Sequence, residues 1–451
     1  MTLSVPGFVA QTLEALEAAG YESYVVGGCV RDALLGREPH DWDIATAALP
    51  TEVERVFASR RLIETGMRHG TVTLLSSGGP LEITTFRSEG AYSDGRRPDA
   101  VTFVRDIHED LRRRDFTINA MAYSPSRGLR DDFGGQTDLE TRTLRCVGKP
   151  DERLGEDALR ILRALRFAAR YALSIAPETD AALRRQRERL VNVSAERIFT
   201  EIKGILISPG AGKMLLSFPE IFFSVFPEME PMLGFDQHRA DVHVYDVWEH
   251  TAHALDAAPT DTVLRLTMFF HDIGKPSTFS LDPTTGLGHF YGHPRRSAEM
   301  ADEILRRLRC DNATREAVKT LVENHPAPTQ DNPRSIRRLL SRLGEEQTRR
   351  LLDVWRADVL AHAPETAAER LPLLAKYAQE LEDLLHADSC LSLRDLAVNG
   401  QDILALGVNV GPAVGKILRS LLEEILDEKL PNERESLLRR ANEIKGGLKN
   451  E

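Results

Sequence analysis

Three apolar residues, Tyr24-Val25-Val26, run directly into Gly27-Gly28, and Val30-Arg31-Asp32-Ala33-Leu34-Leu35 then carries apolar positions at helical spacing. The pattern predicts a strand, a glycine turn and a helix in immediate succession. Up to about residue 145, strand-like runs at Gly70–Leu75, Leu81–Phe86 and Val101–Val104 alternate with helical segments and glycine turns. From Asp151 the period changes. Leu159–Ala168 opens a succession of amphipathic helical patterns that continues to the C-terminus, so the last two thirds should be nearly all helix. The fold class expected is an α+β N-terminal domain with a small mixed sheet, then an all-α neck, a helical body and a helical tail. The boundaries fall at residues 1–145, 146–210, 211–335 and 336–451. Breaks are read at Ser208–Gly212, Asp282–Gly288 and Pro326–Pro333, the first and third as domain boundaries. No repeat of domain-building length recurs.

Length agrees with several lobes, since 451 residues exceed one ordinary core and a prior of about 150 residues per domain gives roughly three. Hydrophobic residues make up 42% and charged residues 28%, as in a globular protein, and no apolar stretch approaches the roughly 20 residues of a membrane helix. Met1–Gly20 lacks the basic start and apolar run of a signal peptide, so a cytoplasmic location without membrane contact is expected. Cys29, Cys146, Cys310 and Cys390 are too scattered for a disulfide framework or a zinc knuckle. A net charge of −11 argues against a broadly basic surface, while local arginine clusters can still hold a nucleic-acid backbone. Oligomeric state is left open.

The chemistry starts in the glycine turn. Backbone N–H groups between a strand and a helix attract phosphate. Asp41-Trp42-Asp43 follows on an expected second strand, where period-two alternation puts both carboxylates on one face. Such a pair needs cations, and hard oxygen ligands suit Mg²⁺ with substrate phosphates in its shell. A lone Gly-Gly or Asp-x-Asp is most often structural; together they point to metal-assisted nucleotidyl transfer. The run Arg112-Arg113-Arg114 is read as the start of an amphipathic helix reaching Ala122. Cations there oppose the helix dipole, so an anionic partner would explain them. Asp157, Arg160, Arg163 and Arg166 recur every three residues, which is either an ordinary solvated ion-pair face or a base-reading edge. An arginine donor beside an aspartate acceptor matches cytosine and adenine. Against uracil and guanine the carboxylate faces a carbonyl, at a cost of about 1–3 kcal/mol.

These segments, with Glu82–Arg87 and Arg113–Ala120, resemble the ordered motifs of class II CCA-adding enzymes, the tRNA nucleotidyltransferases, and of the related bacterial poly(A) polymerases. The resemblance covers residues 24–170. It implies transfer of CMP, CMP and AMP from CTP and ATP to a tRNA 3′ end without a nucleic-acid template. It implies that Asp41 and Asp43 bind catalytic Mg²⁺, with Glu82 as a third carboxylate, and that Gly28 and Arg31 hold the triphosphate. Arg114 would contact the nucleotide, Asp157 and Arg160 would read the base, and Arg163 and Arg166 would meet nucleotide or phosphate. The segment Arg87–Val104, containing Ala91–Pro98, matches the family's mobile loop for switching from C to A addition and disfavours a CC-only enzyme.

Further on, His250, the pair His271-Asp272, His293 and His325 combine imidazoles with a carboxylate, the donor set of divalent transition metals. Any one of them read alone is a structural histidine. As an ordered set over about residues 240–330 they resemble the HD superfamily of metal-dependent phosphohydrolases. That resemblance implies a first metal on His250, His271 and Asp272, and a second metal or phosphate on His293 and His325. A later Asp, Asp358, is a candidate further ligand, and the ion would be Ni²⁺, Mn²⁺ or Mg²⁺. Residues 146–210 then read as the base-recognising neck, 211–335 as the HD-type domain and 336–451 as a tail. The charged helix at Ser335–Leu343, with Gly400, the turn Val408–Pro412 and the helix Ala413–Leu426, would meet the tRNA elbow by shape and phosphate, or form a plain helical bundle. Two alternatives stand beside CCA addition: a poly(A) or A-adding enzyme of the same family, and an HD phosphohydrolase with an RNA-binding head. The presence of both Asp41 and Asp43 argues against the latter.

Overall fold

The computed structural model of the chain describes residues 3–63, 70–90, 100–387 and 390–448. They form two compact units, Met1–Leu233 with Ile304–Cys310, and Gly234–Glu303 with Asp311–Glu451.

The first unit is built on a seven-stranded sheet in the order Leu62–Ile63, Thr71–Ser76, Gly79–Thr85, Asp43–Thr46, Ser23–Val26, Ala122–Ser124 and Gly128–Arg130. The sheet is mixed. Asp43–Thr46 runs parallel to Gly79–Thr85 and antiparallel to Ser23–Val26, and the remaining adjacent strands of the sheet pair antiparallel. Ser23–Val26 is buried along its whole length, which is why Tyr24-Val25-Val26 is apolar without alternation and the buried Ser23 hydroxyl is hydrogen-bonded to Thr46. Tyr24, Val26, Phe86, Ile107, Leu111 and Val147 pack as one core beneath it.

One expected element is different. Helix Ile107–Arg112 starts at Asp106, whose carboxylate accepts from His108 N at 2.9 Å, and the arginine run lies at its end, with Arg113 as C-cap. Cations there complement the helix dipole, so the unfavourable helix start inferred from the sequence does not exist. The segment that follows is not an amphipathic helix. Phe116, Ile118, Ala120, Met121 and Ala122 are all fully buried, and burial on every side suits a short 3₁₀ turn at Thr117–Asn119 and the strand Ala122–Ser124.

The neck belongs to the same unit. Helices Pro150–Glu156, Leu159–Tyr171, Pro177–Gln186 and Ala195–Leu206 follow in order. Leu159–Tyr171 buries Ile161, Leu162, Leu165 and Ala168 and ends at Ala172 in the left-handed conformation, φ 52°. Ser174–Ile175 pairs in parallel with Thr143–Leu144 and ties the neck to the head.

Among its described residues the second unit is helical apart from one hairpin, Phe279–Leu281 with Gly288–Phe290, at whose turn the Asp282–Gly288 break falls. Val247–Ala257, Thr262–Phe270, Asn312–Glu323 and the long Ile336–Leu360, interrupted at Gly344 with φ 76°, carry its first part. The C-terminal helices Gly400–Ala405, Pro412–Leu426 and Arg434–Leu448 surround a core of their own that includes Ile403, Ile417 and Leu421. The Ala91–Pro98 segment read as a switching loop lies outside the described residues. Among the described residues no helix is long and apolar enough to cross a membrane.

Helix Gly135–Glu140 packs so closely on the 3₁₀ turn that a Cβ at Gly135 would stand 2.3 Å from the Thr117 carbonyl oxygen and 2.9 Å from Met121 Cγ. Backbone cannot yield as a side chain does, so Gly135→Ala is expected to lower stability by about 1–3 kcal/mol. Urea unfolding followed by circular dichroism checks this through a lower midpoint at unchanged slope.

Candidate functional site

Gly27 takes φ 75°, ψ −122° and starts helix Gly28–Leu34. A side chain is excluded there twice over: by the positive φ, and because a Cβ would lie 2.7 Å from Arg114 Nη1. Arg31 is buried one turn into the helix. Its Nη1 donates to Asn119 Oδ1 at 2.6 Å and its Nε to Asp32 Oδ1 at 2.9 Å. Its guanidinium carbon stands 4.6 Å from the Tyr171 ring centre and 5.2 Å from that of Phe167, while the Tyr171 hydroxyl donates to Asp32. Turn and neck therefore hold one arginine between them.

Asp43 opens the second strand and Asp41 lies two residues ahead of it, outside the strand. Register sets Asp43 directly beside Glu82, and the three carboxylates line one recess of about 480 Å³ with Trp42 and Thr73. The Asp43 carboxyl is raised above its ordinary range, first by desolvation in this recess and then by the Glu82 charge; Arg114 opposes the rise and Asp41 adds to it. Since Asp43 keeps solvent-exposed surface, the like charges are the part of that shift a bound cation would relieve. Cys29 donates its thiol hydrogen to Val26 O, and burial pushes the thiol up to about 11, so it carries no nucleophilic thiolate at neutral pH.

The expected nucleotide residues Gly28, Arg31, Arg114, Asp157, Arg160, Arg163 and Arg166 all line a second recess, of about 510 Å³. Asp157 is not on the helix with the arginines. It sits in extended backbone between two helices, and its Oδ1 accepts from Leu159 N at 3.0 Å. Each charge has a counter-charge that sequence reasoning did not assign. Asp110, 1% exposed, holds Arg113 and Arg114; burial alone would raise it, but the two guanidiniums outweigh that and hold it below the ordinary range. Asp115 accepts from Arg163 Nη2 at 2.7 Å and from Asn119 Nδ2 at 3.0 Å. Glu201 accepts from Arg166 Nε at 2.6 Å and lies 3.7 Å from Arg163. Arg160 donates to Glu156 at 2.5 Å, and Arg197 to Asp157 at 2.6 Å. Asp115 and Asn119 lie in the Arg113–Ala120 segment, where spacing gives them no role, and the spacing of Arg197 and Glu201 does not name their partners.

In the second unit the expected histidines converge. His250, His271, His293 and His325 each turn Nδ1 to a backbone carbonyl, of Ala361, Met268, Phe290 and Val322, which leaves every Nε2 for a ligand. The Nε2 atoms of His250 and His271 are 3.2 Å apart, as are those of His293 and His325. Asp272 lies between the pairs, Oδ2 3.1 Å from His271 and Oδ1 3.5 Å from both His293 and His325. Both its oxygens are buried without a well-directed hydrogen bond, although Lys275 Nζ approaches Oδ2 to 2.7 Å. Asp358 joins the first pair, 3.0 Å from His250 Nε2. Burial by itself would lower His271, but Asp272 outweighs it and raises the imidazole to about 10; burial lowers His293 to about 4. This carboxylate pocket demands positive charge, and its donors fit a divalent cation. His243 and His362, which the sequence did not single out, flank His250 within ligand reach.

The family described as "Poly A polymerase head domain" matches residues 23–145, "Probable RNA and SrmB- binding site of polymerase A" matches 172–233, and a second domain of tRNA nucleotidyltransferases matches 295–441. The CCA-adding enzyme of Levilactobacillus brevis is 34% identical over 432 residues, covering 94% of this chain and 95% of that protein. That of Lacticaseibacillus paracasei is 35% identical over 450 residues, 98% of each. The crystal structure of the Bacillus stearothermophilus CCA-adding enzyme in complex with CTP is similar at TM-score 0.72 and 26% identity over 98% of both chains. The Thermotoga maritima CCA-adding enzyme complexed with tRNA shares the fold at TM-score 0.61 and 19% identity, covering 98% of this chain and 96% of that one.

Because the Asp43 carboxyl is raised, protons compete for it at a higher pH than for an ordinary aspartate. Mn²⁺ affinity, titrated calorimetrically on an Asp272→Asn background so that the histidine cluster stays silent, is expected to fall with decreasing pH from above the usual aspartate range. Glu82→Gln, which removes the largest like charge, should move that fall to lower pH; an unmoved acid limb would refute the coupling.

Proposed function

The chain belongs to the CCA-adding enzymes, and from that premise we propose that it adds CMP, CMP and AMP from CTP and ATP to the 3′ end of tRNA, with transfer at Asp41, Asp43 and Glu82 and base choice at Asp157 and Arg160. One observation carries the assignment of residues: the phosphate turn, Arg114 and the pair Asp157 and Arg160 line a single recess, and the charge of Arg114 reaches Asp43 on the carboxylate strand. A nucleotide whose triphosphate meets Gly28 and Arg31 thus lies with its base toward the neck and its phosphates toward the carboxylates.

Three carboxylates with like-charge coupling fit hard divalent cations, and Mg²⁺ is the natural choice. Bound there, such cations supply charge neutralisation at the attacking and leaving oxygens. The chain's own residues do the rest. Gly28 N–H and Arg31 take the triphosphate, and the acceptor 3′ hydroxyl attacks the α-phosphorus as pyrophosphate leaves. No covalent enzyme intermediate is needed, in agreement with the protonated, buried Cys29. Of the five N–H donors of Arg160, Nη1 is engaged by Glu156 and the Arg153 carbonyl and Nη2 weakly by the Arg113 carbonyl at 3.3 Å, which leaves donors for a base. Arg163 and Arg166, neutralised by Asp115 and Glu201, border the nucleotide as fixed walls. The tail helices are the tRNA-facing part, and a cytoplasmic location fits that substrate. Poly(A) synthesis and A-only addition are not favoured, since relatives matched along nearly the whole chain are CCA-adding enzymes.

The histidine cluster supports a second activity. Four imidazoles oriented by backbone carbonyls around a buried, poorly bonded Asp272 make a centre for one or two divalent metals, with Asp358 as a further ligand. We assign it phosphohydrolase chemistry on small phosphoesters, with Ni²⁺, Mn²⁺ or Mg²⁺ as the ion.

Transcripts of tRNA lacking CCA, lacking only the final A, or complete, each given one labelled triphosphate at a time, test the main reading. The first should take C and the second A, and the complete one neither; long A tails on unrelated RNA would overturn it. Asp41→Ala should reduce transfer by more than about a thousandfold, and Asp157→Ala should relax base choice by roughly tenfold or more. For the second activity, protein loaded with Ni²⁺, Mn²⁺ or Mg²⁺ should open or dephosphorylate 2′,3′-cyclic nucleotides. Asp272→Asn should lose that turnover and its bound metal while keeping nucleotidyl transfer; no turnover with any of the three ions would reject the assignment.

A further inference from the structure

Asp157 stands at φ −147°, ψ 109°, in the joint between helices Pro150–Glu156 and Leu159–Tyr171. No helix turn sets its side-chain direction. Two donors do: Leu159 N to Oδ1 at 3.0 Å, and Arg197 Nη2 to Oδ2 at 2.6 Å. The first is a local cap that many rotations of the carboxylate plane would satisfy. The second comes from another element, helix Ala195–Leu206, and selects one orientation.

Four residues after Arg197 the same helix presents Glu201, buried at 6% exposure, to Arg166 at 2.6 Å and to Arg163 at 3.7 Å. Positions i and i+4 share a helix face. The helix thus offers a cation to the aspartate of the reading face and an anion to its arginines, the charge complement of the wall it packs on. Ile198, Ile202 and Ile205 are buried on the same stripe as Glu201, beside Arg197, and fix the helix's rotation.

We propose that Arg197 is the positioning residue for base selection: it holds the Asp157 carboxylate so that its unused lone pairs face the exocyclic amino group of C or A. This rests on the base-reading role assigned to Asp157 above. A carboxylate has about four acceptor positions, and with two engaged by Leu159 N and Arg197 the remaining two are directed rather than free to turn. Without Arg197 the carboxylate can rotate away from a carbonyl-bearing base as readily as toward an amino-bearing one, so discrimination, not nucleotide binding in general, is what suffers. The guanidinium fork makes the orientation specific, and an ammonium would restore charge without the planar geometry.

Incorporation kinetics on full-length protein, with tRNA lacking CCA and tRNA lacking only A and each of the four triphosphates, tests the assignment. Arg197→Ala should raise KM for CTP and ATP by about tenfold with a smaller change in kcat, and narrow the preference for CTP over UTP by about tenfold. Arg197→Lys should recover part of the loss. The double variant Arg197→Ala with Asp157→Ala should discriminate no worse than Asp157→Ala alone, because the two act as one unit. A thermal midpoint close to that of the unaltered chain separates this role from a structural one, since the ion pair is part-exposed. Unchanged base preference in Arg197→Ala, or effects that simply add in the double variant, would overturn the proposal. If Asp157→Ala itself leaves preference intact, the base-reading role fails and this proposal with it; loss of preference in Asp157→Ala but not in Arg197→Ala refutes this proposal alone.

Discussion

The geometry of the nucleotide recess depends on one buried carboxylate. Asp115 is 8% exposed and accepts from Arg163 Nε at 2.9 Å and Nη2 at 2.7 Å, from Asn119 Nδ2 at 3.0 Å and from Phe116 N at 2.8 Å. Burial alone would raise this acid, yet Arg163 and Asn119 hold it below the ordinary range. A buried charge so satisfied is tolerable, and removing one partner would strand the other at a cost of several kcal/mol. The bonds run outward from it in both directions. Through Arg163 it grips the neck helix, and through Asn119 it reaches Arg31 behind the glycine turn. Residues of the glycine turn and of the neck come from elements far apart in sequence, and this acid sets them in one frame.

The same logic explains how a chain of net charge −11 keeps a recess ringed by arginines. Arg113 and Arg114 share Asp110, Arg166 leans on Glu201, and Arg160 on Glu156. Mutual repulsion of the guanidiniums is thereby offset before any substrate arrives, and their positions do not depend on one. For the triphosphate proposed above, such a site offers donors already aimed at the recess and held there by carboxylates, which is preorganisation rather than simple attraction.

What could be read from the sequence was whatever local period encodes. The strand, glycine turn and helix at residues 23–34 and the amphipathic helix Leu159–Tyr171 follow from spacing within a few residues, whereas Asp41 lies ahead of the strand, so strand alternation does not account for its sharing a recess with Asp43. Leu111–Ala122 does not read correctly from period because its apolar residues are buried on every side; the helix start at Asp106 lies six residues upstream of Arg112. Asp157 was counted with the arginines every third residue, although the chain leaves helical conformation there. Counter-charges were invisible for a deeper reason. Arg197 and Glu201 look like any exposed i, i+4 pair, and only the packing of two helices shows that they face Asp157 and Arg166 rather than each other.

The two clusters of candidate metal ligands differ in the way their side chains are held, and that difference bears on the ions each would suit. Asp41, Asp43 and Glu82 offer only oxygen from a strand edge and the residue ahead of it, in a recess open to solvent, so a cation there keeps room for water and for substrate phosphate. His250, His271, His293 and His325 offer nitrogen from a buried cluster, each ring locked by a carbonyl behind it, so the ligand directions are set before a cation binds. Nitrogen donors favour transition metals over Mg²⁺, whereas the carboxylate recess gains little from them. An ion common to both therefore meets directed nitrogen donors in one cluster and open oxygen donors in the other, so donor type and preset geometry, rather than charge alone, distinguish the two.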